Sequence, residues 1–368
     1  MSTQIEAPER GMAIGNPAIR AVGPITFGPD GILFIADNVS AQVFAVDVAD
    51  RGEPAGHVDV ERLGSRLAAY LGCPREDVFV RDMAIHPGSQ RVYLSLMRGS
   101  GDAAVPVIIR VGDDGLLAEV PLHEVPFSSV SIADAPAEDD DRQDVMLAAP
   151  GEAPDEELEV RGHRLRLRRR PLRTQTVTDF AFVDGVLLVA GASNEEFVAT
   201  LRRIPFPFTG EAGASSLEIF HVSHGKYETH SPLRTLVPYD GGRSVLAAYT
   251  CTPVVRFSVA DLRSGEQAKG RTVAELGAMN TPIDMVSYTR AGEEYLLVSN
   301  ARHPLIKLAS RDIDAQEPLT KPKEPRGVPR EELSHPGVTH LAAADGHVLM
   351  LQWNDGDLAL RAYATSSL

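Results

Sequence analysis

One pattern governs what this chain can fold into. A short apolar strand, a tight turn carrying Asp-Gly or a near equivalent, and a second apolar strand recur along the sequence. Residues 24–36 read PITFGPDGILFIA, 82–97 DMAIHPGSQRVYLSLM, 179–190 DFAFVDGVLLVA, 235–249 TLVPYDGGRSVLAAY, 284–298 DMVSYTRAGEEYLLV and 340–351 HLAAADGHVLML. Asp-Gly between apolar runs signals a hairpin, because only such residues reach positive φ cheaply. A third strand follows several copies, as in residues 42–47, 105–111, 254–259 and 358–364.

The copies align on Ile25, Met83, Phe180, Leu236, Met285 and Leu341. Most neighbours lie about 50–60 residues apart, and one interval is about twice that, which fits a radial repeat. A degenerate copy at 129–150 can fill the long interval. Sheets that are apolar on both faces bury them by stacking around an axis. The expected fold is therefore an all-β, single-domain β-propeller over residues 1–368. Seven blades are favoured; six blades with an inserted hairpin is the alternative. The last copy has three visible strands, so residues 11–22 are expected to supply its outer strand and seal the ring.

At the level of this repeat the chain resembles the NHL, YVTN and gluconolactonase-like propellers. Residues 23–47, GPITFGPDGILFIADNVSAQVFAVD, look like one of their blades. Such propellers host hydrolases, lyases, oxidoreductase subunits and pure binding platforms, so the resemblance implies a fold and no single activity. In the gluconolactonase-like enzymes, acids and amides at the strand ends hold calcium. The Glu-Gly-Pro that opens their first blade is Val22-Gly23-Pro24 here, so that ligand is missing.

The repeat also locates a site. The residue before each aligned position is Pro24, Asp82, Asp179, Thr235, Asp284 and His340. Equivalent positions lie on one ring, so Asp82, Asp179, Asp284 and His340 are expected to meet in one tunnel. Like charges so placed call for a cation or a shared proton. The same aspartates can equally be caps bonded to backbone N–H groups. The second strands end on polar residues at the same face, including Asn194, Glu195, Cys251 and Asn300. The segment HVSHGKYETHSP adds His221, His224, Glu228 and His230. That spacing matches no zinc-finger or HExxH motif, but loop histidines can join ligands from other blades.

The resulting expectation is a divalent transition metal (Fe, Mn, Zn or Cu) held by His221, His224, His230, His340, Asp82, Asp179 and Asp284, since imidazole with carboxylate disfavours calcium. Glu195 or Glu228 would serve as base, and Asn194, Arg234, Cys251, Asn300 and His303 would contact a small-molecule or peptide substrate. The reaction class stays open among oxidoreductase, lyase and hydrolase. The competing reading is a non-catalytic platform for a protein or peptide partner. A third is the propeller subunit of an oxidoreductase.

Net charge is −15, which repels nucleic-acid phosphates and anionic lipid, so neither is an expected partner. Two cysteines, no disulfide framework and no apolar leader fit a reducing cytoplasm. One segment stands out from this acidic background. Residues 134–159 carry eleven acids and one arginine, and 161–173 carry seven arginines and no acid. The stretch 134–173 reads as a self-paired surface excursion.

Overall fold

The computed structural model describes residues 11–54, 56–160, 162–208, 212–222, 225–228, 232–250, 253–277, 279–321 and 327–368, apart from the side chains of 102 and 228. The described chain is all-β, with seven sheets, almost wholly antiparallel, and none closing on itself. The predicted hairpins form where the turns allow φ > 0. Asp184 and Gly185 sit at φ 48° and 79°, and Asp30 and Gly31 at 54° and 75°, the backbone that twists two strands back on each other.

Six sheets each begin with one of the aligned strands. Sheet I runs outward as Ile25–Phe27, Ile32–Asp37, Gln42–Asp47, Val125–Ser131 and Ala13–Gly15. Sheet II is Val78–Ile85, Val92–Arg98, Val105–Val111 and Leu117–Glu119. Sheet III is Asp179–Val183, Val186–Ala192, Ala199–Pro205, Gly213–His221 and Lys226–Glu228, with Gln267–Lys269 beside its fourth strand. Sheet IV is Leu233–Tyr239, Ser244–Tyr249, Pro253–Ser258 and Arg271–Glu275. Sheet V is Pro282–Arg290, Glu293–Asn300, Leu305–Ala309 and Arg330–Leu333. Sheet VI is Val338–Ala344, His347–Asn354 and Asp357–Ala364.

The core lies between these sheets. In strand Ile32–Asp37, Leu33 and Ile35 pack toward sheet II, whereas Ile32, Phe34 and Ala36 pack toward sheet III. The two-residue period of a strand thus divides one continuous apolar run between two interfaces. Apolar clusters of this kind join I with II, II with VI, VI with V, V with IV, IV with III, and III with I. The first strands neighbour one another in the same cycle. Spatial order therefore departs from chain order, because sheet II sits between I and VI. The chain makes four strands of sheet I, crosses to build sheet II, and returns with Val125–Ser131 to complete sheet I.

Two expectations change here. Residues 13–15 pair with 125–127 at the outer edge of sheet I, not with the last sheet. The outer strand of sheet VI instead meets Val60, which exchanges backbone hydrogen bonds with Leu360 at 2.9 and 3.0 Å. Helix Leu63–Leu71 follows directly and buries Leu63, Leu67 and Leu71 between sheets II and VI. The stretch 129–150 forms no hairpin of its own: Val125–Ser131 belongs to sheet I, and Gln143–Leu147 belongs to the seventh sheet. In that sheet His163–Pro171 lies between Gln143–Leu147 and Glu156–Val160.

Candidate functional site: a carboxylate ring beneath an arginine-rich sheet

The aligned polar residues form a chain of hydrogen bonds between sheets. Asp82, Asp179 and Asp284 each accept the N–H of the following residue at 2.7 Å through one oxygen. The other oxygen reaches the next sheet: Asp82 accepts Ile25 N–H (2.8 Å), Asp179 accepts Leu236 N–H (2.7 Å), and Asp284 accepts Leu341 N–H (2.6 Å). Thr235 Oγ1 accepts Met285 N–H at 3.1 Å. His340 donates from Nε2 to the Arg81 carbonyl at 3.0 Å, and its Nδ1 lies 3.2 Å from Thr339 Oγ1. Links thus run from III to IV, V, VI, II and I. Pro24 offers no such side chain, and at the I–III junction Asn38 exchanges hydrogen bonds with both backbone groups of Val177.

The structure therefore brings Asp82, Asp179, Asp284 and His340 to one end of the first strands. They keep some accessible surface while lying deep in the protein, as residues lining an axial space do. Burial raises all three carboxyls: Asp179 to about 6, Asp284 to about 8 with Asp179 adding to the effect, and Asp82 well above the usual range with both others contributing. Burial lowers His340 to about 4, so its imidazole is neutral at pH 7.

The other candidates separate from the ring. His221 is buried in the fourth strand of sheet III, 3.9 Å from Glu275 in the fourth strand of sheet IV, so it sits toward the periphery. Its strand starts far from the axis because three others precede it. His224, His230 and Cys251 lie outside the described residues. Glu228 pairs through its backbone with Ile219, again away from the axis. Asn194 and Glu195 are exposed, and their carbonyls accept from Arg142 at 3.3 and 3.0 Å. Asn300 is buried, donating to the Val298 and Pro304 carbonyls and accepting from Asn280. His303 packs beside Gly277, where a Cβ would come within 2.9 Å of its Nε2. Among the described residues no three His, Cys, Asp or Glu side chains group as an ion site.

The 134–173 excursion, expected at the surface, reaches across this face. Asp144 pairs with Arg234 of sheet IV, and Leu147 N–H donates to Thr281 Oγ1 at 3.0 Å beside sheet V. Gly151 abuts Trp353 of sheet VI, and Arg142 meets sheet III. Arg173 donates to the Asn38 and Val39 carbonyls at the end of sheet I. Register decides which face turns inward. Asp144 stands opposite Arg170 and Met146 opposite Arg168, while Val145, Leu147, Leu158 and Leu165 take the alternate face. Because Asp144 points to Arg234, the arginine face looks down on the ring.

Sequence reasoning named Arg234 as a substrate contact but missed its counterpart Arg81 and the irregularity that the two share. Just before the ring position, sheets II, IV, V and VI carry a β-bulge, whose extra residues are Arg81, Arg234, Ile283 and Thr339. Bulges re-aim a side chain at the end of a strand. Arginine preceding the ring residue in two copies was the available signal.

No family model and no curated protein matches the chain. Among solved structures it is similar to a streptogramin B lyase at 11% identity, covering 96% of this chain and 97% of that one, with a TM-score of 0.41. It is also similar to a putative oxidoreductase (glucose dehydrogenase) from Thermus thermophilus, at 13% identity, 96% and 100% coverage and a TM-score of 0.37. The β-propeller domain of Cps50 (Swd1) is similar at 10% identity, with 94% and 84% coverage and a TM-score of 0.37. Identities this low say nothing about chemistry.

Proposed function

We propose that the chain is a six-bladed β-propeller with an inserted three-stranded sheet, and that it works as a platform binding a protein or peptide partner. The observation that carries this reading is how the ring is used. Both oxygens of each ring aspartate already accept backbone N–H groups, and those bonds tie one blade to the next. On the other face of the inserted sheet Val145, Leu158 and Val160 are exposed at 38%, 40% and 36% around a buried Leu165, and exposed apolar residues of this kind are what a protein partner covers. In this reading the ring is structural and the face above it recognises.

A second reading keeps the metal-dependent enzyme, with Fe, Mn, Zn or Cu and a base such as Glu228. It is favoured by the buried proximity of His221 and Glu275 at the root of the 221–230 loop. Metal analysis of protein made in metal-replete medium and purified without chelators separates the two. The platform reading expects far less than one transition metal per chain. One per chain, lost in His224→Ala with the β-rich spectrum intact, would replace it with the enzyme.

A further inference from the structure

We propose that the axial space beneath the inserted sheet binds an oxyanion, the carboxylate or phosphate group of a small molecule, on the guanidinium of Arg81. Arg81 and Arg234 occupy the same bulge position, in sheets II and IV. Those sheets are three steps apart in a cycle of six, so the two arginines face each other across the axis. Their surroundings differ completely. Arg234 is buried and fully engaged: Nε donates to Thr250 Oγ1 at 2.5 Å, Nη1 to Gln175 Oε1 at 2.9 Å, and Nη2 to Asp144. Arg81 is fixed by its backbone, whose carbonyl holds His340, and its guanidinium lies 5.6 Å from the Phe79 ring centroid. Among the described residues no acceptor hydrogen-bonds to that guanidinium.

The charges that act most on it are Arg170, Glu152 and Arg168, two of them repelling it. Glu152 is already shared, since both Arg168 and Arg170 pair with the same oxygen. Arg168 also pairs with Asp155, so both nearby acids are committed to the inserted sheet's arginines and neither bonds to Arg81. A guanidinium presents a planar fork of donors matched to two oxygens of a carboxylate or phosphate. A ligand oxyanion would do for Arg81 what Asp144 does for Arg234. Arg81 is accessible although heavily surrounded by protein, so a ligand can reach it. The chain as a whole is acidic, so this attraction is local and owes nothing to the global field.

The site does not depend on whether the outer face docks a partner, and its test is separate from the metal analysis. Thermal melts would be run on the full chain with inorganic phosphate, with succinate and with potassium chloride at matched ionic strength. The expected result is a saturable rise in melting temperature with at least one oxyanion and none with chloride. Phosphate alone or succinate alone identifies the headgroup, and either supports the proposal. Arg81→Gln should weaken the effect about tenfold or more, the scale of a lost charge-assisted pair. Arg170→Gln, which leaves the ring untouched, should weaken it less. Arg243→Gln, in the exposed turn after Tyr239, should not change it. Equal stabilisation of wild type and Arg81→Gln, or no response beyond chloride in the wild type, overturns the proposal.

Discussion

Two polar layers share one axis and solve the problem of buried charge in opposite ways. In the lower layer, three carboxyls crowd together, yet each has two backbone donors, and burial raises their affinity for protons, with repulsion adding at Asp82 and Asp284. In the upper layer, arginines cannot shed their protons, so each needs an acceptor. Arg234 has Asp144; Arg81 has none among the described residues. Titratable acids can relieve crowding by neutralising themselves, whereas guanidinium groups must recruit a counter-charge. An acidic ring is therefore compatible with a structural role, while an arginine left without an acid points outward to a ligand.

The ion pair between the layers should respond most strongly. Arg234→Ala should leave Asp144 buried without its partner and strand Gln175 and Thr250 as well. Removing one member of such a pair costs about 3–5 kcal/mol, read as a lower denaturation midpoint in urea. A cost under about 1 kcal/mol would mean that the pair is solvated, since exposed pairs contribute no more than that, and that the inserted sheet is not anchored here.

The lower layer should announce itself through pH. Asp179 has its carboxyl raised from 3.8 to about 6, which corresponds to roughly 3 kcal/mol between its protonation states. For a carboxyl raised in the folded state, the contribution is fully present below the unfolded value and lost as pH rises through the folded one. Between pH 4 and pH 7 the wild type should therefore lose a contribution that Asp179→Asn does not. The amide keeps an acceptor for one of the two backbone N–H groups, so the variant starts less stable at pH 4, and the two should converge with rising pH. Parallel curves would show that the ring does not titrate in this window.

Much of the first-strand geometry was legible because it depends on local chemistry. Asp30-Gly31 and Asp184-Gly185 announce their turns through the positive φ they tolerate, and the common register of Asp82, Asp179 and Asp284 follows from the two-residue period. What those aspartates do was not legible, since the same side chain caps a backbone or holds an ion, and only the distances to Ile25, Leu236 and Leu341 separate the two. Sheet order was hidden for a different reason. Residues 125–131 return to sheet I after sheet II is built, a long-range pairing that no local pattern encodes. Within the 134–173 segment Arg164 pairs with Glu157 and Arg169 with Glu156. Its position over the axis rests on a few contacts, among them Asp144 with Arg234, whose partners lie far apart in sequence.

The smallest predicted effect is also the most diagnostic, because it asks for opposite signs from one substitution at two equivalent positions. Arg234→Gln removes a charge whose acceptors are in place, so it should destabilise, if less than alanine does. Arg81→Gln removes a charge that is repelled by Arg168 and Arg170 and has no acid of its own. Its loss should therefore leave the unliganded protein as stable as the wild type or more stable, by up to about 1 kcal/mol, a modest figure because relaxation and water in the axial space temper the penalty. Ring closure should not suffer, since His340 bonds to the backbone carbonyl at position 81 and not to the side chain. Urea unfolding of the two variants, measured without added phosphate or carboxylate, gives the comparison directly. If both variants lose stability to the same extent, Arg81 has a structural partner like that of Arg234, and the asymmetry between the two sides of the axis disappears. A gain at Arg81 against a loss at Arg234 would mark the charge that the fold tolerates and does not need.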